Sequence, residues 1–217
     1  FMAMFNTGLQ ANLALDPARA SALTDWRHGI IGLLGVGYAP TSLVANVVHG
    51  AMYFLPLYAL TMVVGLGWEV AFAVIRKMEV NEGFFVTGLL FPLICPPETP
   101  LWQAALAVSF AVVLGKEVFG GTGMNFMNPA LVARAFLFFA YPAGMSGDKV
   151  WTAIPAAAAV DGFSGATVLS QMRQMTVPFD ELNLSFWNAF VGLEPGSMGE
   201  TSALACLIGG VILIVTG

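Results

Sequence analysis

Long apolar runs alternate with short polar breaks along this chain, and the unequal lengths of the runs predict different elements. Val47 to Ile75 has only one charged residue and exceeds the roughly 20 residues a membrane-spanning helix needs, with a kink expected at Pro56. It ends at Arg76-Lys77. Leu101 to Val118 is a second crossing pattern and closes on Lys116-Glu117. Between them Phe84 to Cys95 is apolar, but about a dozen helical residues rise only about 18 Å, short of the roughly 30 Å hydrocarbon core. Pro92, Pro96, Pro97 and Pro100 then stop it. Pro129 to Tyr141 is short for the same reason. It follows the glycine-rich stretch Phe119 to Asn128, with Asn128 the expected N-cap and Pro129 the first helical residue. Phe1 to Leu15 reads as the tail of a membrane helix that breaks up at Asn6, Gly8 and Asn12. Residues 16 to 50 read as a loop with short interfacial helices, and Ala203 onward re-enters the bilayer.

Two short, interrupted segments flanking one full helix are how transporter-like folds line a site near the bilayer midplane. Non-helical backbone survives at that depth only where protein or a water-filled cavity covers it. The expected fold is therefore an all-α polytopic membrane protein, a transporter-like bundle with broken or half helices. Composition agrees: 58% of residues are hydrophobic and 10% charged, against about 25% charged in soluble domains. Both ends fall within or beside apolar sequence, so 1–217 reads as part of a larger membrane domain, and no signal peptide is recognisable. Cys95 and Cys206 sit in apolar segments without metal-ligand neighbours, so no disulfide framework, zinc site or iron–sulfur site is expected from this chain.

Charge then sets orientation. Arg76-Lys77 after a span marks the cytoplasmic side, and counting crossings from there puts Lys116 on that side too. Residues 142–200 become an external loop. It carries Asp148, Asp161, Asp180, Glu181, Glu194 and Glu200 against Lys149 and Arg173, in keeping with an outside location. Phe186, Trp187 and Phe190 are expected at the membrane interface. The net charge of −5 argues against nucleic acid as a partner.

Candidate chemistry is sparse. Asp161-Gly162-Phe163-Ser164-Gly165-Ala166-Thr167-Val168-Leu169-Ser170 is small and polar, and Ser164, Gly165 and Ala166 lead into a threonine hydroxyl on a flexible, accessible turn. Most such threonines cap a helix or satisfy a turn. Glu69 is the lone carboxylate of the first span. It is either a cation contact kept at a burial cost of roughly 3 kcal/mol or a side chain that snorkels to the cytoplasmic interface. His28 and His49 have no second ligand at helical spacing and read as interfacial hydrogen-bonding histidines more readily than as quinone or metal contacts.

Several motifs in one order carry a resemblance: Asn81-Glu82-Gly83-Phe84-Phe85-Val86-Thr87, Gly115-Lys116-Glu117-Val118-Phe119-Gly120-Gly121-Thr122-Gly123, Asn128-Pro129-Ala130, Arg134 to Pro142, and Asp161 to Thr167. Together they resemble the B subunits of sodium-translocating NADH:quinone oxidoreductases, over nearly the whole chain. Relative to that pattern Ala156 to Val160 looks like an insertion. The resemblance implies that Thr167 is esterified to the phosphate of FMN, within an acceptor formed by Ser164, Gly165 and Ala166, and that Asp161 aids recognition or caps the turn. No His, Lys or Cys neighbours Thr167 in sequence to activate its hydroxyl, so attachment needs an outside catalyst, and the resemblance implies a metal-dependent flavin transferase that takes FMN from FAD.

It further implies riboflavin elsewhere in the subunit, sodium as the transported ion, and quinone as the final acceptor. Electrons would arrive through flavins and iron–sulfur centres on other membrane and peripheral subunits. The setting would be a bacterial inner membrane with the flavin loop on its periplasmic side, and the fold the first of two inverted repeats similar to urea-transporter channels. Gly65 and Glu69 match a region associated with quinone or inhibitor binding and sodium uptake. Two alternatives stay open: the D subunit of the related ferredoxin:NAD oxidoreductases, with a similar flavinylated threonine, and a flavin-free solute channel or transporter.

Overall fold

The computed structural model describes residues 1–80, 82–147, 150–155, 158–161, 163, 165–174, 185–199 and 201–217. Among these the helices are α1 (Met2–Ala14), α2 (Trp26–Leu33), α3 (Leu43–Arg76), α4 (Phe84–Ile94), α5 (Leu101–Gly115), α6 (Pro129–Ala140), α7 (Pro142–Met145), α8 (Val168–Gln174), α9 (Phe186–Val191) and α10 (Ala203–Thr216), with 3-10 turns at Pro17–Ala22 and Glu117–Phe119. The described residues contain no strand, only a single antiparallel bridge between Leu15 and Ala159. The chain forms two compact units: residues 1–52 with 147–217, and residues 53–146. Two of the described helices, Leu43–Arg76 and the helical stretch Leu101–Phe119, are long and apolar enough to cross a membrane.

In the first unit α1 runs unbroken through Asn6, Gly8 and Asn12, the positions at which the residue pattern predicts breaks. All three positions are buried and used. A Cβ on Gly8 would lie 1.9 Å from the Asn46 carbonyl oxygen, and one on Gly50 would lie 1.8 Å from that of Met4. The backbones of α1 and α3 therefore touch, as small residues permit where helices pack without help from water. Asn6 donates to the Glu194 carbonyl at 2.8 Å, and Asn12 pairs with Asn46 at 2.8 Å. Polar residues that look like helix breakers are thus the inward face of the helix. On α9, Phe186 and Phe190 stack at 6.0 Å with Trp187 edge-on at 5.7 Å to Phe186, and α10 buries none of its residues.

In the second unit α3 continues through Pro56. Its 34 residues, starting at Leu43 and not at Val47, give about 51 Å of helix. α4 has 11 residues, or about 17 Å, so the short-helix expectation holds, although Pro92 lies inside its last turn. Phe84 is fully buried and lies against α3, where a Cβ on Gly65 would fall 1.8 Å from its ring. α5 ends at Gly115, before the predicted Val118. Lys116 leaves helical geometry, and the turn closes on Gly120 at φ 116°, a backbone that glycine takes without steric cost. Asn128 caps α6 as expected, its side chain accepting from the Ala130 N–H at 2.9 Å, with Pro129 in the first turn. α5 and α6 pack through Phe110 on Phe136, 4.8 Å between rings, and Trp102 on Tyr141, 5.5 Å.

The contact of α1 with α3 yields a test. Gly8→Val or Gly50→Val forces side-chain carbon into a backbone carbonyl, at or above the roughly 1–3 kcal/mol typical of overpacking. Both variants should lower the melting temperature of the detergent-solubilised protein, whereas Gly67→Val, which faces open space, should not.

Candidate functional site

Two clusters gather the polar groups that composition makes scarce. The first lies in the second unit, where α3 meets the end of α5. Glu69 and Lys116 are each 5% exposed, and the Lys116 ammonium donates to Glu69 Oε1. Further along α3, Arg76 donates through Nη1 to Glu117 Oε2 at 2.7 Å and through Nη2 to the Glu117 carbonyl. The Arg76 guanidinium also lies 5.1 Å over the Phe72 ring. Two adjacent residues at the end of α5 therefore answer two residues of α3. The spacing from Glu69 to Arg76 is about two turns, so both share one helix face. A cavity of about 100 Å³ opens beside them, lined by Glu69, Arg76, Glu117, Gly120, Gly121 and Thr122 among others.

This geometry alters two expectations. Glu69 is buried but not unpaired, because the Lys116 ammonium is its partner. Lys116 in turn is not a free cation at a membrane surface but a buried ion-pair partner. Gly65 sits one turn before Glu69 and serves the packing of Phe84.

The second cluster lies in the first unit and contains Asp161 and Thr167. α1 ends at Ala14, Leu15 is extended, and two backbone hydrogen bonds of 3.0 Å close the bridge: Asp16 N–H to the Ala158 carbonyl and Val160 N–H to that of Ala14. Ala158 and Ala159 are buried with Ala14, Leu15 and Ile154 in a small apolar core, and Phe163 packs against it. The described part of the alanine-rich stretch is thus a packed strap; residues 156–157 lie outside the described residues. Asp161, 84% exposed, meets Arg19 in a two-pronged contact, Nη1 to Oδ1 and Nη2 to Oδ2, each 2.8 Å. This pairing holds the Asp161 carboxyl below the usual carboxylate range. Being a depressed acid, it keeps its pairing above the unfolded carboxylate pKa and loses it as pH falls through the lowered folded value.

Beyond it Gly165 and Ala166 are buried and Thr167 is half-buried. Thr167 Oγ1 accepts from the Ser170 N–H at 3.3 Å, and its carbonyl accepts from Gln171 N–H at 3.0 Å, so it caps α8. Gln171 Nε2 donates to the Ala166 carbonyl at 2.8 Å. The flexible turn read from the sequence is, from Gly165 on, a held helix start. Ser164, the remaining acceptor residue, lies outside the described residues.

His28 and His49 are brought together by tertiary contacts that no helical spacing signals. Their rings lie 5.4 Å apart, with Tyr38 at 5.8 and 5.5 Å. Both are buried within the protein. The Pro40 carbonyl can only accept, so the Asn46 amide presents its NH2 there (2.8 Å) and its oxygen to Asn12 Nδ2; Asn12 then offers its own oxygen to His49 Nδ1 at 2.7 Å. His49 must therefore carry its proton on Nδ1. Burial pushes the His28 imidazole down from its usual range, opposed by Asp25. Among the described residues no three His, Cys, Asp or Glu side chains are grouped to hold a metal ion.

The structure thus joins Asp161, Gly165, Ala166 and Thr167 in one unit and Gly65 and Glu69 in the other. Sequence reasoning missed Arg19, Asn12, Asn46 and the pairing of Lys116 with Glu69 and of Glu117 with Arg76. For the last, charged residues at the ends of two crossing runs were the available signal.

The NQR2, RnfD, RnfE family profile matches residues 1–217. The chain is 57% identical over 219 residues to the B subunit of the Na(+)-translocating NADH-quinone reductase of Ectopseudomonas mendocina, covering 100% of this chain and 53% of that protein. It is 56% identical to the protein of the same name from Azotobacter vinelandii, with the same coverage. It is 53% identical to that from Chromohalobacter salexigens, covering 100% of this chain and 51% of the relative. The chain spans about half the length of the curated relatives it matches.

The buried pair makes a measurable demand. Lys116→Met leaves the Glu69 carboxylate buried and unpaired and should destabilise by about 3–5 kcal/mol. Lys116→Met with Glu69→Gln should recover part of that loss. Thermal unfolding of the two variants and of Glu69→Gln closes the cycle.

Proposed function

The chain belongs to the NQR2, RnfD, RnfE family, and on that premise we propose that it forms about the first half of the membrane domain of the B subunit in a sodium-translocating NADH:quinone oxidoreductase. The observation that carries this is similarity over the full chain to proteins of that name. The family also takes in RnfD, the D subunit weighed from sequence, but each relative named above is a B subunit. In this assignment 1–217 is the first of two inverted repeats of membrane helices, and 142–200 is an extracytoplasmic loop on the periplasmic face of a bacterial inner membrane. Other membrane and peripheral subunits pass electrons from NADH, and quinone receives them. Riboflavin binds elsewhere in the subunit.

Thr167 is the anchor for covalent FMN. The side chain suits an ester: it is half-buried rather than enclosed, and the two residues before it are glycine and alanine. Its capping role is as an acceptor, from the Ser170 N–H. Esterification removes the hydroxyl hydrogen and leaves an oxygen lone pair for that bond, so the helix start survives modification. Attachment forms the bond from Oγ1 to the flavin-side phosphorus of FAD, breaks the pyrophosphate bond, and releases AMP and the hydroxyl proton. The flavin transferase performs this step. Once attached, FMN supplies an electron carrier that the chain cannot lose, while the protein sets its position and surroundings. Ser164, Gly165 and Ala166 are the small acceptor residues that lead into it, and Asp161 belongs to the same stretch.

For sodium, Glu69 is the residue we assign to the uptake path, with Gly65 one turn away. Its carboxylate already holds the Lys116 ammonium, so an arriving sodium ion competes with an internal cation for the same oxygen.

Two measurements test these assignments. The subunit expressed with its flavin transferase should give a fluorescent band after denaturing electrophoresis and lose it in Thr167→Ala; a dark native band, or a bright variant, removes the flavin assignment. Glu69→Gln should weaken the sodium dependence of turnover while the band stays bright. Unchanged sodium dependence takes Glu69 off the path.

A further inference from the structure

The strap that leads to Thr167 is tied down with more contacts than a passive loop needs. One guanidinium joins two stretches of chain through three residues. Arg19 grips both oxygens of Asp161 at 2.8 Å, donates from Nη1 to the Ala159 carbonyl at 3.1 Å, and lies with Nε 3.4 Å from Asp16 Oδ2. Asp16 in turn accepts from the Ala18 N–H at 2.9 Å, which fixes the turn that presents Arg19. Beneath these contacts lie the two backbone hydrogen bonds of the Leu15–Ala159 bridge and the apolar packing of Ala158, Ala159 and Phe163. Every described residue from Ala158 to Phe163 therefore belongs to the strap, and Thr167 follows Asp161 by about six residues, which reach at most about 20 Å. The tie at Asp161 thus limits where the hydroxyl can be offered.

The tie is also exposed. An exposed ion pair adds little to folding stability, but a bidentate guanidinium–carboxylate contact fixes direction as well as distance. A pair that contributes little stability yet sets the exit of a strap is suited to presentation. Both Asp161 oxygens face the guanidinium, which engages the carboxylate within the chain.

We propose that Arg19 and Asp161 are a positioning pair for the modification of Thr167, with the Asp161 carboxylate acting through Arg19 and not as a direct handle for the transferase. This rests on the flavin assignment of Thr167. Loss of either partner frees the exit of the strap at Asp161, while the backbone bridge and apolar packing stay, and makes the acceptor harder to capture; the chemistry at Oγ1, once captured, is unchanged.

The test uses the full-length subunit purified without flavin, incubated with the transferase, FAD and its metal, and followed as covalent flavin per chain. Arg19→Ala and Asp161→Ala should each slow incorporation by about tenfold, through a raised KM for the acceptor chain with kcat held. The two substitutions combined should be no slower than either alone, since they break one interaction. Melting temperatures should match the native chain, because the pair is exposed. Arg19→Ala labelled at the native rate overturns the proposal, as does a double variant whose losses multiply, which would mean that Asp161 meets the transferase by itself. A native chain that takes no label removes the flavin assignment and with it this role for the pair, a result distinct from a bright native chain beside a bright Arg19→Ala.

Discussion

A charged group on a membrane-spanning helix has to find its counter-charge inside the protein, and Glu69 with Lys116 is where this chain meets that demand. Each is 5% exposed, so neither can draw on water. The pair holds α3 against the end of α5, and the same register lets Arg76 reach Glu117 two turns further on. Glu117 begins the 3-10 turn that ends at Gly120, whose left-handed backbone turns the chain towards the stretch before α6. One electrostatic constraint thus fixes the position of a helix end, a tight glycine turn and the small cavity between them. A buried pair of this kind need not stabilise the fold against an apolar alternative, but it is costly to break on one side only.

The first unit solves a related problem with neutral groups. Asn12, Asn46 and His49 form a hydrogen-bond chain that ends on the Pro40 carbonyl, and its direction follows from that terminal acceptor. Such a network is possible because Gly8 and Gly50 let the backbones of α1 and α3 touch. With larger residues at those two positions the helices would stand further apart, and the amides would be left without partners. Close packing and polar satisfaction are therefore one arrangement here.

Under the proposed flavin assignment, Thr167 joins a structural and a chemical role in a single oxygen. It holds the start of α8 by accepting a hydrogen bond, and an ester oxygen can go on doing so. The strap before it is tied to α1 by backbone bonds, by small apolar side chains and by Arg19. Asp161 and Thr167, which read as two features of one short motif, are held separately, Asp161 by Arg19 and Thr167 at the start of α8.

Much of this could be read from residue order alone. Run lengths and the lack of charge determine that α3 and the helical stretch Leu101–Phe119 can cross a bilayer and that α4 and α6 are too short, because helix rise per residue is constant. Asn128-Pro129 determines the start of α6, since capping is a local event settled within about four residues. The motif ending at Thr167 marks a candidate acceptor for the same reason: small residues beside a hydroxyl are a local pattern. What distant segments do for one another is not local. Asn6, Gly8 and Asn12 look like breaks until α3 is placed beside them, Glu69 looks solitary until Lys116 arrives from 47 residues away, and Arg19 is an ordinary loop cation until Asp161 is brought to it. Hydrogen bonds and ion pairs depend on distance in space, and only the tertiary structure decides which residues come within reach.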